Sequence, residues 1–368
     1  MVSLYQSFRE NRYFSGLDGL RCIAILGVLF HHSPLLDSFP SFLYRGYLGV
    51  DIFFTLSGFL IVTLLLREKE RKGRISLKKF YVRKALRILP VYYGILLLLV
   101  GLYSLRPDDP DAVVLFQRLP TYLIFLSNWM TTDAPNLSVI WALSSEVQFY
   151  LVWPLIEVFV KPPFKFAILG LFTMLNIATS FGFLDPFWTQ VYGAGFDRSL
   201  EILQTTFTPI CFGIFLAHLL HARKTFDAIA PFLANRLTST VLFSLMAVFV
   251  IFSPNSISWG GPFRLMVHIV IFLLLASLLI REDTPVHRVL NQKIFVQLGL
   301  LSYGIYLYHM FAYHIVRFFV SKPALGDFGY FLGTLVLGSL LSILLAAISF
   351  HVYEKPILSF KKKLSQVS

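Results

Sequence analysis

The sequence predicts an all-helical, polytopic membrane protein with about ten transmembrane helices and both termini in the cytoplasm. Three observations carry this reading. Of the 368 residues, 56% are hydrophobic and only 14% charged; apolar stretches of about 20 residues recur along the chain; and the basic residues gather between alternate stretches. A soluble domain carries about 25% charge, so composition excludes an ordinary aqueous fold. The net charge of +12 would suit nucleic acid only on a solvated face. Here Lys and Arg stand in short runs between apolar segments, so the expected partner is a lipid bilayer and not nucleic acid. Cys22 and Cys211 both fall in apolar stretches and read as buried thiols, and no metal site is expected.

The first segment, 17–36, follows sixteen polar and aromatic residues and contains Arg21, His31 and His32. It offers no small-residue cleavage site, so it reads as a retained helix and not as a signal peptide. The second, 46–66, carries Asp51 near its start. Arg87 opens the third, 86–105, just ahead of Pro90. Val113–Trp129 is apolar but broken by Gln117, Arg118 and Pro120, and reads as a re-entrant or interfacial segment. The fourth, 139–160, places Glu146 seven residues in and Glu157 near its end. Segments 164–183, 206–222, 237–253 and 263–281 follow. The ninth, 296–319, holds His309 thirteen residues in and His314 near its end, and the tenth, 328–353, closes at His351 and Glu354. No repeat or low-complexity linker interrupts the order, so 1–368 reads as a single transmembrane domain.

Orientation follows from the basic residues. The segment from Arg67 to Arg87 holds ten Lys and Arg against two acids, which assigns it to the cytoplasm. With ten spans, 25 of the 32 basic residues fall on that side. Only Arg45, Arg106, Arg118, Arg198, Arg264, Arg317 and Lys322 fall opposite.

An ionisable side chain inside a spanning helix costs at least about 2.5–3.5 kcal/mol, so each needs a partner or a task. Glu157 and His314 lie near helix ends and read as side chains reaching the interface; His218, His221 and His287 read as solvated. Arg21 and His32 are different. Eleven helical residues turn the chain about 1100°, within about 20° of three full turns, so the two share one helix face about 16.5 Å apart. His31 points about 80° away, which makes His32 the candidate functional group, although sequence alone does not separate an adjacent pair with certainty. By depth, Arg21, Arg87 and Glu354 fall at a cytoplasmic level. His32, Asp51 and Glu146 fall at an outer level, with His309 at mid-depth or slightly beyond.

The same residues sit in recognisable words. FSGLDGLRCIAILGVLFHH (Phe14–His32), GVDIFFTLSGFLI (Gly49–Ile61), RKALRILPVYY (Arg83–Tyr93), WALSSEVQFYLVWPL (Trp141–Leu155), LGLLSYGIYLYHM (Leu298–Met310) and YEKPILSFKKKL (Tyr353–Leu364) run in order along the chain. Together they resemble acyltransferase family 3, integral membrane proteins that acylate hydroxyls on sugars, polysaccharides and other acceptors. The resemblance departs in three places: Lys84 stands where arginine is usual, Val147 replaces the second acid after Glu146, and Tyr308 replaces a tryptophan before His309. The family's extended versions add a hydrolase-like extracytoplasmic domain, and none is expected here.

The resemblance implies an O-acyltransferase, in the first instance an O-acetyltransferase, that takes its acyl group from cytoplasmic acetyl-CoA or another acyl-CoA. Its acceptor would be a carbohydrate or glycolipid of the bacterial cell envelope. His32 would be the general base or would carry the acyl group covalently, oriented by Asp51 or Glu146. Arg21 and Arg87 would hold the phosphates of coenzyme A, with Arg83 and Lys84 beside them; a lysine there gives a point charge and no bidentate grip. Glu354 is the closing acidic residue, and His309 and Tyr150 are further candidates. The outer stretch Leu184–Glu201, with Trp188, Tyr192, Asp197 and Arg198, has the aromatic and polar mix that stacks on a sugar. A transporter or flippase using the intramembrane His, Asp and Glu as a proton relay is the competing class. It predicts inverted repeats and paired interrupted helices, which the sequence lacks. A structural protein would leave the Arg21–His32 alignment unexplained.

Overall fold

The computed structural model describes residues 4–129, 135–193, 207–252, 261–320 and 322–357. Every described element is helix or turn. In chain order the helices are α1 (Leu4–Glu10), α2 (Ser15–His32), α3 (Leu48–Lys72), α4 (Leu77–Ser104), α5 (Pro110–Leu123), α6 (Ile140–Phe159), α7 (Pro162–Ser180), α8 (Asp185–Tyr192), α9 (Thr208–His221), α10 (Arg223–Leu233), α11 (Thr238–Phe252), α12 (Pro262–Ile280), α13 (Pro285–Leu290), α14 (Lys293–Phe319) and α15 (Lys322–Ser349). A π-helical turn, Phe350–Glu354, extends α15.

Local chemistry sets several of these ends. Gly73 takes a left-handed φ of 70° and stops α3, and the Ser76 hydroxyl accepts from the Lys79 amide to start α4. Asp109 caps α5 ahead of Pro110, and Thr284 caps α13 ahead of Pro285.

Each of the ten apolar segments coincides with a helix, but among the described residues fewer than ten helices have a spanning composition. Six described segments are long and apolar enough to cross a membrane: Ser41–Lys72, Leu77–Ser104, Pro162–Ser180, Pro262–Ile280, Lys293–Phe319 and Leu325–Ile357. The count rises to eight if the bent pairs α1–α2 (75°) and α10–α11 (74°) each make one span. The other two expected spans fall short for different reasons. Helix α9 has 14 residues, about 21 Å, less than a hydrocarbon core of about 30 Å. Helix α6 is long enough, but Ser144, Ser145, Glu146, Gln148 and Glu157 dilute its apolarity. The protein is therefore multi-pass, with six to eight candidate spans among the described residues. In the outer stretch Leu184–Glu201, residues 185–192 are the helix α8, carrying Trp188 and Tyr192, whereas Asp197 and Arg198 lie outside the described residues.

The chain divides into two compact units. The first comprises Met1–Gly27, Pro40–Ile75 and Val152–Leu300; the second comprises Val28–Phe39, Ser76–Leu151 and Leu301–Ser368. In the first unit α3 and α9 lie in backbone contact, because Gly58 faces the Ile210 carbonyl and Gly213 faces that of Thr55; a Cβ at either glycine would fall on the opposing backbone. Such small-residue crossings are how helices associate where lipid removes any hydrophobic drive between them. The start of α2 is held in the same way, with Gly19 against Leu290 and Gly299 against Asp18.

In the second unit, tyrosine hydroxyls tie helices to backbone carbonyls. Tyr92 donates to Tyr122 (2.7 Å), Tyr303 to Ile88 (2.9 Å), Tyr306 to Val139 (2.7 Å) and Tyr313 to Leu29 (2.8 Å). A buried polar network, Ser127 with Ser144 (2.9 Å) and Asn128 with Ser145 (3.2 Å), fastens the turn after α5 to α6. Leu97, Leu98 and Leu102 of α4 face outward while Leu96 and Leu99 are buried, the division expected of a lipid-facing helix. The segment expected to be re-entrant or interfacial, Val113–Trp129, falls on α5 and the short turn Ser127–Trp129; α5 buries Ala112, Leu115 and Tyr122 and exposes Val113, Phe116 and Leu123.

Candidate active site

Most of the candidate residues belong to the second unit. His32 ends α2, half-buried, with its Nδ1 3.0 Å from the Val28 carbonyl one turn back. A carbonyl only accepts, so Nδ1 carries the hydrogen and the lone pair of the neutral ring is on Nε2. His309 of α14 repeats the arrangement: its Nδ1 lies 2.6 Å from the Tyr306 carbonyl. The two imidazoles are in edge contact, ring centroids 4.9 Å apart, and His31 makes a similar 4.9 Å contact with His32. Helix α14 also clamps the end of α2, since Arg317 donates to the His32 carbonyl (3.2 Å) and Tyr313 to that of Leu29. The group at His32 Nδ1 is thus a backbone carbonyl.

A second group forms along α14 toward its start. Tyr303 lies six residues before His309, about 9 Å along the axis. It is within electrostatic reach of Glu354, Glu146 and Arg87. Glu354 accepts from the Ser349 hydroxyl (3.2 Å) and interacts electrostatically with Arg87, which is exposed. Glu146, Arg87 and Glu354 thus all lie within electrostatic reach of Tyr303. Lys84 sits 4.4 Å over the ring of Tyr150, joining α4 to α6 by a cation–π contact. Arg83 precedes it on α4.

The first unit holds the remaining two candidates, each matched to an opposite charge. Arg21 pairs with buried Asp18, which also accepts from the Tyr13 hydroxyl at 2.6 Å. A carboxylate only accepts, so the Tyr13 hydroxyl is the donor in this bond. Asp51 is fully buried and gripped from α12: Arg264 donates to both its oxygens (2.8 and 3.1 Å), and His268 Nε2 lies 3.1 Å from one of them. An arginine matched at both oxygens is a stronger partner than a neutral imidazole, and this clamp joins α3 to α12.

Sequence reasoning misses Arg264, which counts there as a loop charge, and His268. Their spacing of four in an apolar helix places them one above the other on one face, and that is the signal available. Glu157, expected to reach outward, is instead paired inside the protein. It is 2% exposed and binds Lys165 (2.6 Å) and His218 (3.2 Å), so neither is simply solvated. His221 and His287 are buried as well. Tyr303 falls inside the matched word Leu298–Met310, where one tyrosine among several carries no distinguishing signal. Among the described residues no group of three His, Cys, Asp or Glu is placed to hold a metal ion.

Comparison with known proteins gives one family and a set of bacterial relatives. A family model described as an acyltransferase domain matches residues 14–350. A provisionally named O-acetyltransferase of Staphylococcus aureus strain COL is 26% identical over 96% of this chain and 58% of its own length. The O-acetyltransferase OatA of Staphylococcus aureus strain NCTC 8325 is 28% identical over 94% of this chain and 57% of its own. The chain thus spans somewhat more than half the length of these curated relatives. No solved structure matches it.

Proposed function

The chain belongs to the acyltransferase domain family, and from that premise we propose that it is a membrane O-acyltransferase. It moves an acyl group, acetyl in the first instance, from cytoplasmic acyl-CoA to a hydroxyl of a carbohydrate or glycolipid acceptor in the bacterial inner membrane. The names of the Staphylococcus relatives support the reaction class. The observation that carries the reading is the state of His32, with Nδ1 committed to the Val28 carbonyl and Nε2 left as a base in a half-buried position.

In this mechanism His32 Nε2 removes the acceptor's hydroxyl proton as its oxygen attacks the thioester carbonyl. The tetrahedral intermediate collapses with cleavage of the carbon–sulfur bond, and the imidazolium returns the proton to the departing thiolate. The Val28 carbonyl fixes ring orientation and tautomer, the part a carboxylate plays in other acyl-transfer sites. Arg21 and Arg87 are the proposed contacts for the coenzyme A phosphates, with Arg83 and Lys84 adding charge. Asp18 orients Arg21, while Glu354 and Glu146 shape the field around Arg87 and Tyr303. The proposed role of Asp51 is to lock α3 to α12. Ten spans with cytoplasmic termini remain the proposed topology, on the 25-to-7 split of basic residues.

The test is transfer of label from acetyl-CoA to membrane-associated glycan. His32→Ala should abolish it with membrane expression intact, and undiminished transfer would refute the mechanism. Mass spectrometry of envelope polysaccharides with and without the protein would identify the acceptor by its lost acyl mass.

A further inference from the structure

His309 is fully buried, and its Nε2 has no hydrogen-bond partner among the described residues. Its tautomer is fixed, because Nδ1 must donate to the Tyr306 carbonyl. What is orphaned is therefore an acceptor, a nitrogen lone pair that a buried site retains only at a cost unless some state of the protein supplies a donor. The side chains around it narrow the choice. Tyr306 and Tyr313, whose rings flank it at 5.6 and 6.2 Å, have given their hydroxyl hydrogens to the Val139 and Leu29 carbonyls. Arg317, on the same helix, donates to the His32 carbonyl, and His31 packs on the His32 ring from α2 while also lying within electrostatic reach of His309. The ring in direct contact is His32, and His32 gains a second N–H in one circumstance: when it has taken a proton.

We propose that His309 is a positioning residue for His32, its Nε2 accepting a hydrogen bond from the His32 ring once that ring has removed the hydroxyl proton. The inference rests on the reading of His32 as general base. Bonds and protons balance without a further reactant. The acceptor O–H breaks and the His32 Nε2–H forms; the new carbon–oxygen bond and the broken carbon–sulfur bond complete the acyl exchange; and the proton shared by the two imidazoles passes to the thiolate as coenzyme A leaves. Two rings in edge contact, each tied at Nδ1 to its own helix, can take up one proton between them. The pair thus stabilises the imidazolium form that general-base catalysis must create.

The experiment uses the full chain in membranes, with acetyl-labelled acetyl-CoA as the probe and alkali-labile label in the glycan fraction as the readout. Two substitutions separate acceptance from bulk. His309→Phe fills the space and accepts nothing, whereas His309→Gln carries an amide oxygen close to the Nε2 position. A hydrogen bond to a charged group corresponds to about 10–100-fold in rate. His309→Phe should therefore lower turnover at saturating acetyl-CoA by about that factor with KM for acetyl-CoA unchanged, and His309→Gln should recover most of it. Equal losses in Phe and Gln variants present in normal amounts, or wild-type turnover in the Phe variant, would overturn the inference while leaving the His32 reading in place. Full activity in His32→Ala would overturn both.

Discussion

Replacing Arg264 by Met removes the cation that grips Asp51. Both side chains are out of contact with solvent, Asp51 at 0% and Arg264 at 4% exposure, and they are joined by two hydrogen bonds of 2.8 and 3.1 Å. Removing one member of such a pair costs about 3–5 kcal/mol, mainly because the surviving charge stays buried and uncompensated. His268, 3.1 Å from one Asp51 oxygen, recovers part of this once protonated, so the loss should lie at the lower end, about 3 kcal/mol. Asp51→Leu alone strands Arg264 and should cost at least as much. The double variant Asp51→Leu/Arg264→Met carries neither charge and should return to within about 1 kcal/mol of wild type, because apolar replacement of a whole buried pair is often neutral. Purified protein in mixed micelles, titrated with a denaturing detergent and followed by helix content, measures all four members of the cycle. A double variant no more stable than the worse single, or a single loss below about 1 kcal/mol, would refute the clamp. The same double variant tests Asp51 chemically: recovered stability with recovered acyl transfer makes its role architectural, and recovered stability with lost transfer gives it a part in the reaction.

Gly213→Leu should destabilise the protein by about 1–3 kcal/mol or more, because the new side chain meets the backbone of Thr55 and Gly58, while Gly94→Ala, with open space at its Cβ, should be near neutral; thermal size-exclusion chromatography in detergent compares them. Burial holds His287 down at about 4, below the free value of about 6.5, so the unfolded chain takes up the extra proton first. Stability present above about pH 6.5 should therefore be lost as pH falls toward about 4, and His287→Asn should flatten that stretch of the thermal-stability profile.

The apolar segments were legible because each needs about 20 residues of one character, and every one of the ten is helical. Their status as spans was less legible. A window of apolar residues does not reveal that α9 stops after 14 residues, or that α1 and α2 meet at 75°. The candidate groups show the same limit. Arg21 and His32 share a helix, and helical periodicity relates them without knowledge of any other element. Position along the chain sets Asp51 at an outer level, but it does not reveal Arg264 and His268 of α12, more than 200 residues later, which bind it. Long-range pairing depends on which helix faces which, and one-dimensional charge placement does not encode that. Lys165 and His218 mislead for the same reason: both flank apolar stretches, where a solvated charge is the usual occupant, yet they converge on Glu157.

The buried charges fall into two chemical kinds. In the first unit the carboxylates of Asp18, Asp51 and Glu157 are each answered by a cation, Arg21, Arg264 and Lys165 respectively. A carboxylate so engaged is a weak base and a poor nucleophile, since the proton or electrophile it would accept must displace a cation already in place. In the second unit the imidazoles of His32 and His309 face backbone carbonyls and each other, with no carboxylate among their described contacts. A carbonyl fixes a ring without neutralising it, and so leaves the far nitrogen free to take a proton. Satisfied charge holds helices together, and unsatisfied basicity is what acyl transfer requires. That difference sets the paired carboxylates apart from the two imidazoles proposed to do the chemistry.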